Sequence, residues 1–319
     1  MIPYTGLHTT VLLSETITGL SPVNDGIYVD GTFGTGGVTQ ALLEISHNSL
    51  IVAIDQDPAV LSLGQSFAVA YPYRVIMIHG RLSTLTHLLS DHGISNVDGI
   101  IFDLGVSSYQ LNTAERGFSF RVDGPLDMRM TQRGVTAQEV VNTFTETMLA
   151  RILFDYGEER HARSIARAII KARRRQPITR TIELADIIRN VRPRKNHSID
   201  PATRTFQALR IYVNEEMEQL EQGLRAAEQM LRPRGRLAVI CFHSLEDRIV
   251  KNFLRTRTEK RAQPSRHIPY LSHTRFPSFH AIFPQPIYPT KEEIARNHRA
   301  RSARLRIMER TDYPPAQQE

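Results

Sequence analysis

The chain has a single cysteine in 319 residues, Cys241, so it can form no internal disulfide. Because Cys241 sits in the apolar run 237–242, it reads as a buried structural thiol rather than a nucleophile, which argues against redox chemistry. Histidines and the lone cysteine form no cluster with zinc-ligand spacing, so no metal is expected. No apolar run reaches the roughly 18–20 residues that span a bilayer. Residues 1–10 lack the basic region and apolar stretch of a secretory leader, so a cytoplasmic protein with no membrane partner is expected. What is present is enough for a sizeable core: 41% of residues are hydrophobic, compatible with one large domain or two modest ones.

The most specific local signal is Asp30-Gly31-Thr32-Phe33-Gly34-Thr35-Gly36-Gly37, between the apolar run Ile27-Tyr28-Val29 and a helical pattern from Val38 to Ile45. It reads as the first strand, turn and helix of a nucleotide-type site, with glycines that let backbone approach a ligand. A dinucleotide fingerprint starting at Gly34 and Gly36 requires glycine where Thr39 stands. Asp30, at the strand end, would also repel a pyrophosphate. A ligand with an amino-acid cation and no phosphate fits better, and S-adenosylmethionine is of that kind. An acid followed four residues on by G-x-G resembles the first motif of class I methyltransferases, with Thr32 where another glycine is frequent. Asp55, closing the run Leu50 to Ile54, is placed to hold ribose hydroxyls.

Short apolar runs at Ile27–Val29, Ile51–Ile54, Val75–Ile78 and Gly99–Phe102 alternate with helical patterns, the signature of βαβ units and a parallel sheet. Their following loops carry Asp30, Asp55, His79-Gly80 and Asp103-Leu104-Gly105, and should converge where open α/β sheets bind ligands. From Gly117 to Val213 the pattern becomes helical, over Gln138–Phe154, Gly157–Arg175, Ile182–Val191 and one long stretch from Thr203 to Leu231. Strand character resumes at Arg236–Phe242 after the turn Arg232-Pro233-Arg234-Gly235. A methyltransferase-type domain of residues 1–116 and 214–319, interrupted by a helical domain of residues 117–213, is the expected organisation. Arg261 to Lys291 reads as irregular, Ala303–Arg310 as a terminal strand, and Asp312–Glu319 as a frayed tail.

The net charge of +7 points to a polyanionic partner. Between Arg151 and Arg180 nine Lys/Arg face three Asp/Glu, so most of the excess is local. Arg160, Arg163, Arg167 and Lys171 recur at helical spacing, with Arg173, Arg174 and Arg175 behind them and Ile165, Ile169 and Ile170 on other faces. Such a stripe is either a solvated helix face or a phosphate-binding surface.

Asp103-Leu104-Gly105-Val106-Ser107-Ser108 follows the fourth strand, where a methyltransferase positions its acceptor. Transfer from a sulfonium requires a nucleophile aligned behind the methyl carbon, and positioning contributes most of the catalysis. For an exocyclic amine, hydrogen-bond acceptors on the amine protons favour a pyramidal, attacking nitrogen. Asp103, a loop carbonyl and Ser107 or Ser108 offer such groups, although either serine can equally cap the helix that follows. Glu115–Phe120 and Asp123–Met130 crowd charge, glycine and aromatics into a loop. Phe242-His243-Ser244-Leu245-Glu246-Asp247-Arg248 closes the fifth strand, with His243 either a base or a structural histidine.

Together these segments resemble the RsmH family, also called MraW, the bacterial small-subunit ribosomal RNA cytosine N4-methyltransferases. The resemblance is carried by HTTVLLSE from His8, DGTFGTGG from Asp30, AIDQDP from Ala53, DLGVSS from Asp103, ERGFSF from Glu115, GPLDMRM from Gly124, YGEER from Tyr156, ATRTFQALRIYVN from Ala202, FHSLEDR from Phe242 and RSARLRIMER from Arg301. It implies an α/β, Rossmann-like class I S-adenosylmethionine-dependent methyltransferase with an inserted all-helical substrate-binding domain. It implies a cytidine N4 in the decoding region of 16S ribosomal RNA as acceptor, with Asp103 and Ser107 as catalytic candidates. Cofactor contacts carry over to Gly36, Gly37, Val38, Asp55, Leu82, Asp103 and Gln110. Val38 stands where histidine is frequent and Leu82 where phenylalanine is, so side-chain hydrogen bonding and ring stacking are lost there. Tyr109 and His298 each replace a proline, which affects local loop shape. The expected partner is 16S ribosomal RNA or the small ribosomal subunit, bound through Arg160, Arg163, Arg167, Lys171 and Arg173–Arg175. A non-catalytic ribosome assembly factor and a DNA cytosine N4-methyltransferase are the alternatives. The latter usually carries Pro-Pro-aromatic after the fourth-strand acid, where this chain has Leu104-Gly105-Val106. The oligomeric state is left open, a homodimer included.

Overall fold

The computed structural model describes residues 10–191, 200–258 and 276–315. The start of the motif at His8, residues 261–275 of the irregular segment, and the last four residues of the tail lie outside the described residues. The chain divides into two compact units, residues 1–105 with 217–319, and residues 106–216. Residues 106–116 therefore group with the helical unit rather than with the methyltransferase portion to which the sequence reading assigns them.

The first unit begins with helix α1 (Leu13–Leu20) and alternates strand β1 (Ile27–Asp30), α2 (Gly37–Ile45), β2 (Leu50–Asp55), α3 (Pro58–Ala70), β3 (Val75–His79), α4 (Leu85–Asp91) and β4 (Val97–Asp103). Each of these strands is rich in Val and Ile because both faces are covered; Val29, Val52, Ile54 and Ile100 are fully buried. After the second unit, helix α11 (Glu216–Met230) leads to β5 (Leu231–Cys241), α12 (Ser244–Thr258), β6 (Phe279–Ala281), α13 (Lys291–Arg296) and β7 (Arg304–Arg310). The seven strands lie in the order β3-β2-β1-β4-β5-β7-β6, parallel except for β7, which runs antiparallel to β5 and β6. This is a doubly wound, Rossmann-like sheet. Strand order reverses between β1 and β4, which opens a crevice at their carboxyl ends. Cys241 is buried at the end of β5, and burial pushes its thiol up, as expected of a structural cysteine. Asp247 on α12 takes Arg304 and Arg306 of β7 at 2.9 and 2.8 Å, which gives the arginines of the terminal motif a structural use.

Two strand readings change. Strand β5 starts at Leu231, not Arg236, and the Arg232–Gly235 turn is a bulge within it: Val97 pairs with Leu231 and Gly99 with Arg236, while Arg234 adopts φ +66°. The short β6 occupies part of the segment read as irregular. Its three residues have too little periodicity to be seen, and pairing to β7 together with full burial of Phe279 defines them.

The second unit contains α5 (Ser108–Asn112), α6 (Ala137–Thr143), α7 (Glu146–Gly157), α8 (Ala162–Arg173), α9 (Thr181–Val191) and α10 (Ala202–Asn214). The pattern read as one helix over Gln138–Phe154 is two, because the Thr145 side chain accepts the Met148 N–H and starts α7 afresh. The helix read from Gly157 begins at Ala162, since Glu158 turns to φ +48° and the buried Glu159 carboxylate accepts the His161 N–H. The long stretch from Thr203 likewise breaks at Glu215, φ +55°. The crowded loop 115–130 proves to be internal scaffolding. A Cβ on Gly117 would lie 2.2 Å from the Pro125 carbonyl, so the backbones meet there and only glycine fits. Asn214 donates to the Met128 carbonyl and accepts from the Met130 N–H, anchoring the fully buried Met128 in the helical core. Among the described residues, no helix is long and apolar enough to cross a membrane.

Candidate functional site

The crevice of the first unit is built by the ends of β1, β2 and β4. Gly36 closes the turn after β1 with φ +81°, and an added Cβ would lie 2.8 Å from both Phe33 and Phe67. Gly37 begins α2 directly behind it, and Val38 is buried against the core. The Asp55 carboxylate shapes this turn: one oxygen accepts the Gly34 N–H at 2.9 Å and the other the Asp57 N–H at 2.9 Å. Each oxygen keeps a further lone pair, enough for the two hydroxyls of a ribose. Leu82 follows β3, and its side chain closes on Gly31, where an added Cβ would meet Leu82 at 3.0 Å and the Phe102 ring at 2.7 Å. Leu82 and Phe102 thus pack directly on the Gly31 backbone and form an apolar wall beside the turn.

Two threonines missing from the expected set tie the acids together. Thr39 donates its hydroxyl to Asp30 at 2.7 Å, and Thr32 accepts the Asp103 N–H at 2.6 Å. Thr39 is the residue that breaks the dinucleotide fingerprint and Thr32 the one that departs from the methyltransferase motif, so the two exceptions were themselves the signal. The remaining oxygens of Asp30 and Asp103, their Oδ1 atoms, are buried without a hydrogen-bond partner.

Electrostatics says what the crevice accepts. Burial pushes Asp103 up to about 8, with the negative charges of Asp30 and Glu246 adding to it. Burial likewise takes Asp55 to about 7 and Asp30 to about 6, against the hydrogen bonds that favour their charged forms. Three enclosed carboxylates, two of them with an orphaned oxygen, are a poor place for a phosphate and a good one for a cation with hydroxyls. The residues present therefore fit S-adenosylmethionine, with its sulfonium, ammonium and ribose, and do not fit a dinucleotide.

Ser107 and Gln110 belong to the helical unit. Ser107 is the N-cap of α5: its hydroxyl accepts the Gln110 N–H at 3.2 Å while the Gln110 side chain accepts the Ser107 N–H at 3.0 Å. The cap, one of the two roles open to this serine from sequence, is therefore the role the structure displays. It leaves the hydroxyl proton and one lone pair for another partner.

His243 lies just after β5, its Nε2 3.0 Å from Glu246 Oε1. Glu246, 2% exposed, accepts the backbone N–H groups of Phe242 and His243 at 2.7 and 3.2 Å. Glu246 is thus the cap at the start of α12 and a source of negative charge for Asp103. Its signal in sequence was the acid three residues beyond His243.

The basic stripe lies on α8 and the turns at its ends. Arg160, Arg163, Arg167, Lys171, Arg174 and Arg175 are exposed, while Ile165 and Ile169 are buried on the opposite face. Arg167 makes a 3.5 Å contact with Glu146. Arg173 requires a correction. It is half-buried and donates to the Val141 and Phe144 carbonyls at 2.8 and 2.7 Å, capping the C-terminus of α6. Helical spacing could not reveal this, because the carbonyls it satisfies are about thirty residues away.

A family model described as the MraW methylase family matches residues 5–311. A protein from Rhodospirillum centenum named ribosomal RNA small subunit methyltransferase H is 52% identical over 308 residues, covering 97% of this chain and 93% of that protein. One of the same name from Paramagnetospirillum magneticum is 50% identical, covering 96% of each.

Proposed function

The chain belongs to the MraW methylase family, and from that premise we propose that it transfers a methyl group from S-adenosylmethionine to N4 of a specific cytidine in the decoding region, the P-site, of 16S ribosomal RNA. The protein is an S-adenosylmethionine-dependent methyltransferase of ribosomal RNA, as its identity to the small-subunit methyltransferases supports. The observation that carries the reading within the molecule is the crevice with orphaned oxygens on Asp30 and Asp103 at a switch point between β1 and β4. Its working place is the cytoplasm, where small subunits are made.

Bound S-adenosylmethionine supplies an activated methyl group on a sulfonium, so no further activation of the donor is required. Gly36, Gly37 and Val38 hold it by backbone and apolar contact, Asp55 takes the ribose hydroxyls, and Leu82 packs on the adenine. Gln110 completes the set of cofactor residues. Asp103 accepts a hydrogen bond from the cytosine amine through its unpartnered oxygen, so the nitrogen lone pair is directed at the methyl carbon; Ser107 offers a second acceptor. A cation in the crevice brings the Asp103 carboxyl down from about 8 and makes the acceptor form available. The helical unit is the substrate-binding domain, holding RNA phosphates through Arg160, Arg163, Arg167, Lys171, Arg174 and Arg175, while the target base leaves its stack.

Mass spectrometry of nucleosides from small-subunit RNA, incubated with the protein and S-adenosylmethionine, tests the reading. A gain of N4-methylcytidine is expected. Cofactor binding without methyl transfer would identify a non-catalytic assembly factor instead.

A further inference from the structure

In the helical unit, α7 and the start of α8 enclose an open groove of about 730 Å³. On the α7 side it is lined by Glu146, Ala150, Arg151 and Phe154, which recur at helical spacing, and on the α8 side by Arg160 and Arg163. Phe154 is 64% exposed although it is a large aromatic side chain. Its neighbours are cationic. Arg151 is paired with Asp155 at 3.2 Å and Glu146 is taken by Arg167, so the acids near the groove are already engaged. Among the described residues neither Arg160 nor Arg163 makes an ion pair. The groove thus combines an aromatic face with two uncompensated guanidiniums, on a volume suited to a small ligand rather than a folded domain.

We propose that this groove binds one unpaired nucleotide of the RNA substrate, its base stacked on Phe154 and its flanking phosphates on Arg160 and Arg163. This rests on the reading of the protein as an RNA methyltransferase, and adds to it a base-binding subsite held by the helical unit alone. The occupant is single-stranded because a base inside a duplex has no free π-face for Phe154. It is a polyanion because an apolar protein partner would leave Arg160 and Arg163 desolvated and unpaired. Stacking tolerates any base, so the subsite contributes affinity and register rather than sequence choice. Only non-covalent contacts are involved.

The test uses the full chain and a short fluorescein-labelled single-stranded oligoribonucleotide of mixed sequence, with its duplex as comparison. Phe154→Ala should weaken single-strand binding about tenfold and leave duplex binding within about twofold, whereas Phe154→Trp should bind as the parent does. Because Phe154 is exposed, both variants should melt close to the parent. Replacing Arg160 and Arg163 together by Gln should reduce the slope of log affinity against log salt by about 1.4. Unchanged single-strand affinity in Phe154→Ala overturns the proposal. So does a fall in self-association on sedimentation with RNA affinity intact, which would assign the face to a second protein copy. Methyl transfer is read separately: if the parent fails to methylate small-subunit RNA yet Phe154→Ala still loses single-strand affinity, the functional reading fails and the subsite stands.

Discussion

The crevice of the sheet unit and the basic stripe of the helical unit carry opposite charge and opposite degrees of satisfaction. In the crevice, Asp30, Asp55 and Asp103 are enclosed with pKa values pushed upward, and two of their oxygens have no partner. In the stripe the cations lie in water, and the partly buried one, Arg173, serves as a cap through its Nη1. Burying unpaired charge costs stability, whereas exposing arginine costs almost nothing. Unpaired acids therefore point to a ligand by their cost alone, while a stripe of arginines does so only once those serving the fold have been subtracted.

The largest effect expected from this contrast is on catalysis. Asp103→Ala should reduce methyl transfer to small-subunit RNA by about 10²–10³-fold or more, read by nucleoside mass spectrometry. A near-normal rate would remove Asp103 from its assigned role.

Next comes the pH dependence of stability without cofactor. The native pKa values of the three acids lie above their unfolded values, so between about pH 4 and pH 8 the native state holds more protons than the unfolded one. Stability should consequently fall as pH rises through that window, by up to about 1.4 kcal/mol per pH unit for each acid still titrating. Melting curves from pH 5 to pH 8 check the sign. Asp103→Asn, which removes the group titrating highest, should flatten the upper half of the curve and stabilise the free protein at pH 8. Equal slopes in the two proteins would show that Asp103 ionises freely.

The stripe divides at Arg173. Arg173→Ala leaves the Val141 and Phe144 carbonyls unsatisfied and should cost about 1–3 kcal/mol in denaturant unfolding. Reversing Arg174 and Arg175 to Glu should change stability by less than about 0.5 kcal/mol and weaken RNA binding in a salt-dependent way, with cofactor affinity unaltered. Unchanged RNA affinity there would reduce the stripe to a solvated face. Among the substitutions that destabilise the fold the smallest effect is at Thr32→Gly, which loses the acceptor for the Asp103 N–H and should cost about 1 kcal/mol in thermal melts.

The elements legible in the sequence were those whose signal is local. Strands β1 to β4 were visible because burial on both faces writes continuous Val/Ile runs, and the turn at Gly36 because a left-handed backbone calls for glycine. The acids of the crevice were visible too, each directly ending a strand. The divisions at Thr145, Glu158 and Glu215 were not: side-chain caps and single left-handed residues interrupt a helix without disturbing its apolar period. Ser107 remained ambiguous for the same reason, since cap and substrate acceptor call for the same hydroxyl.

By itself, then, the sequence determined the doubly wound sheet, the helical insertion, the family and a cofactor with cationic rather than phosphate chemistry, because apolar period, glycine spacing and strand-end acids are properties of neighbouring residues. Only the tertiary structure decided that Thr32 and Thr39 brace the acids, that Glu246 bears on Asp103, that Arg173 serves the fold, and that Phe154 stands exposed among arginines. Those are relations of burial and hydrogen bonding between segments distant along the chain or folded back upon each other, and no local pattern of residues encodes them.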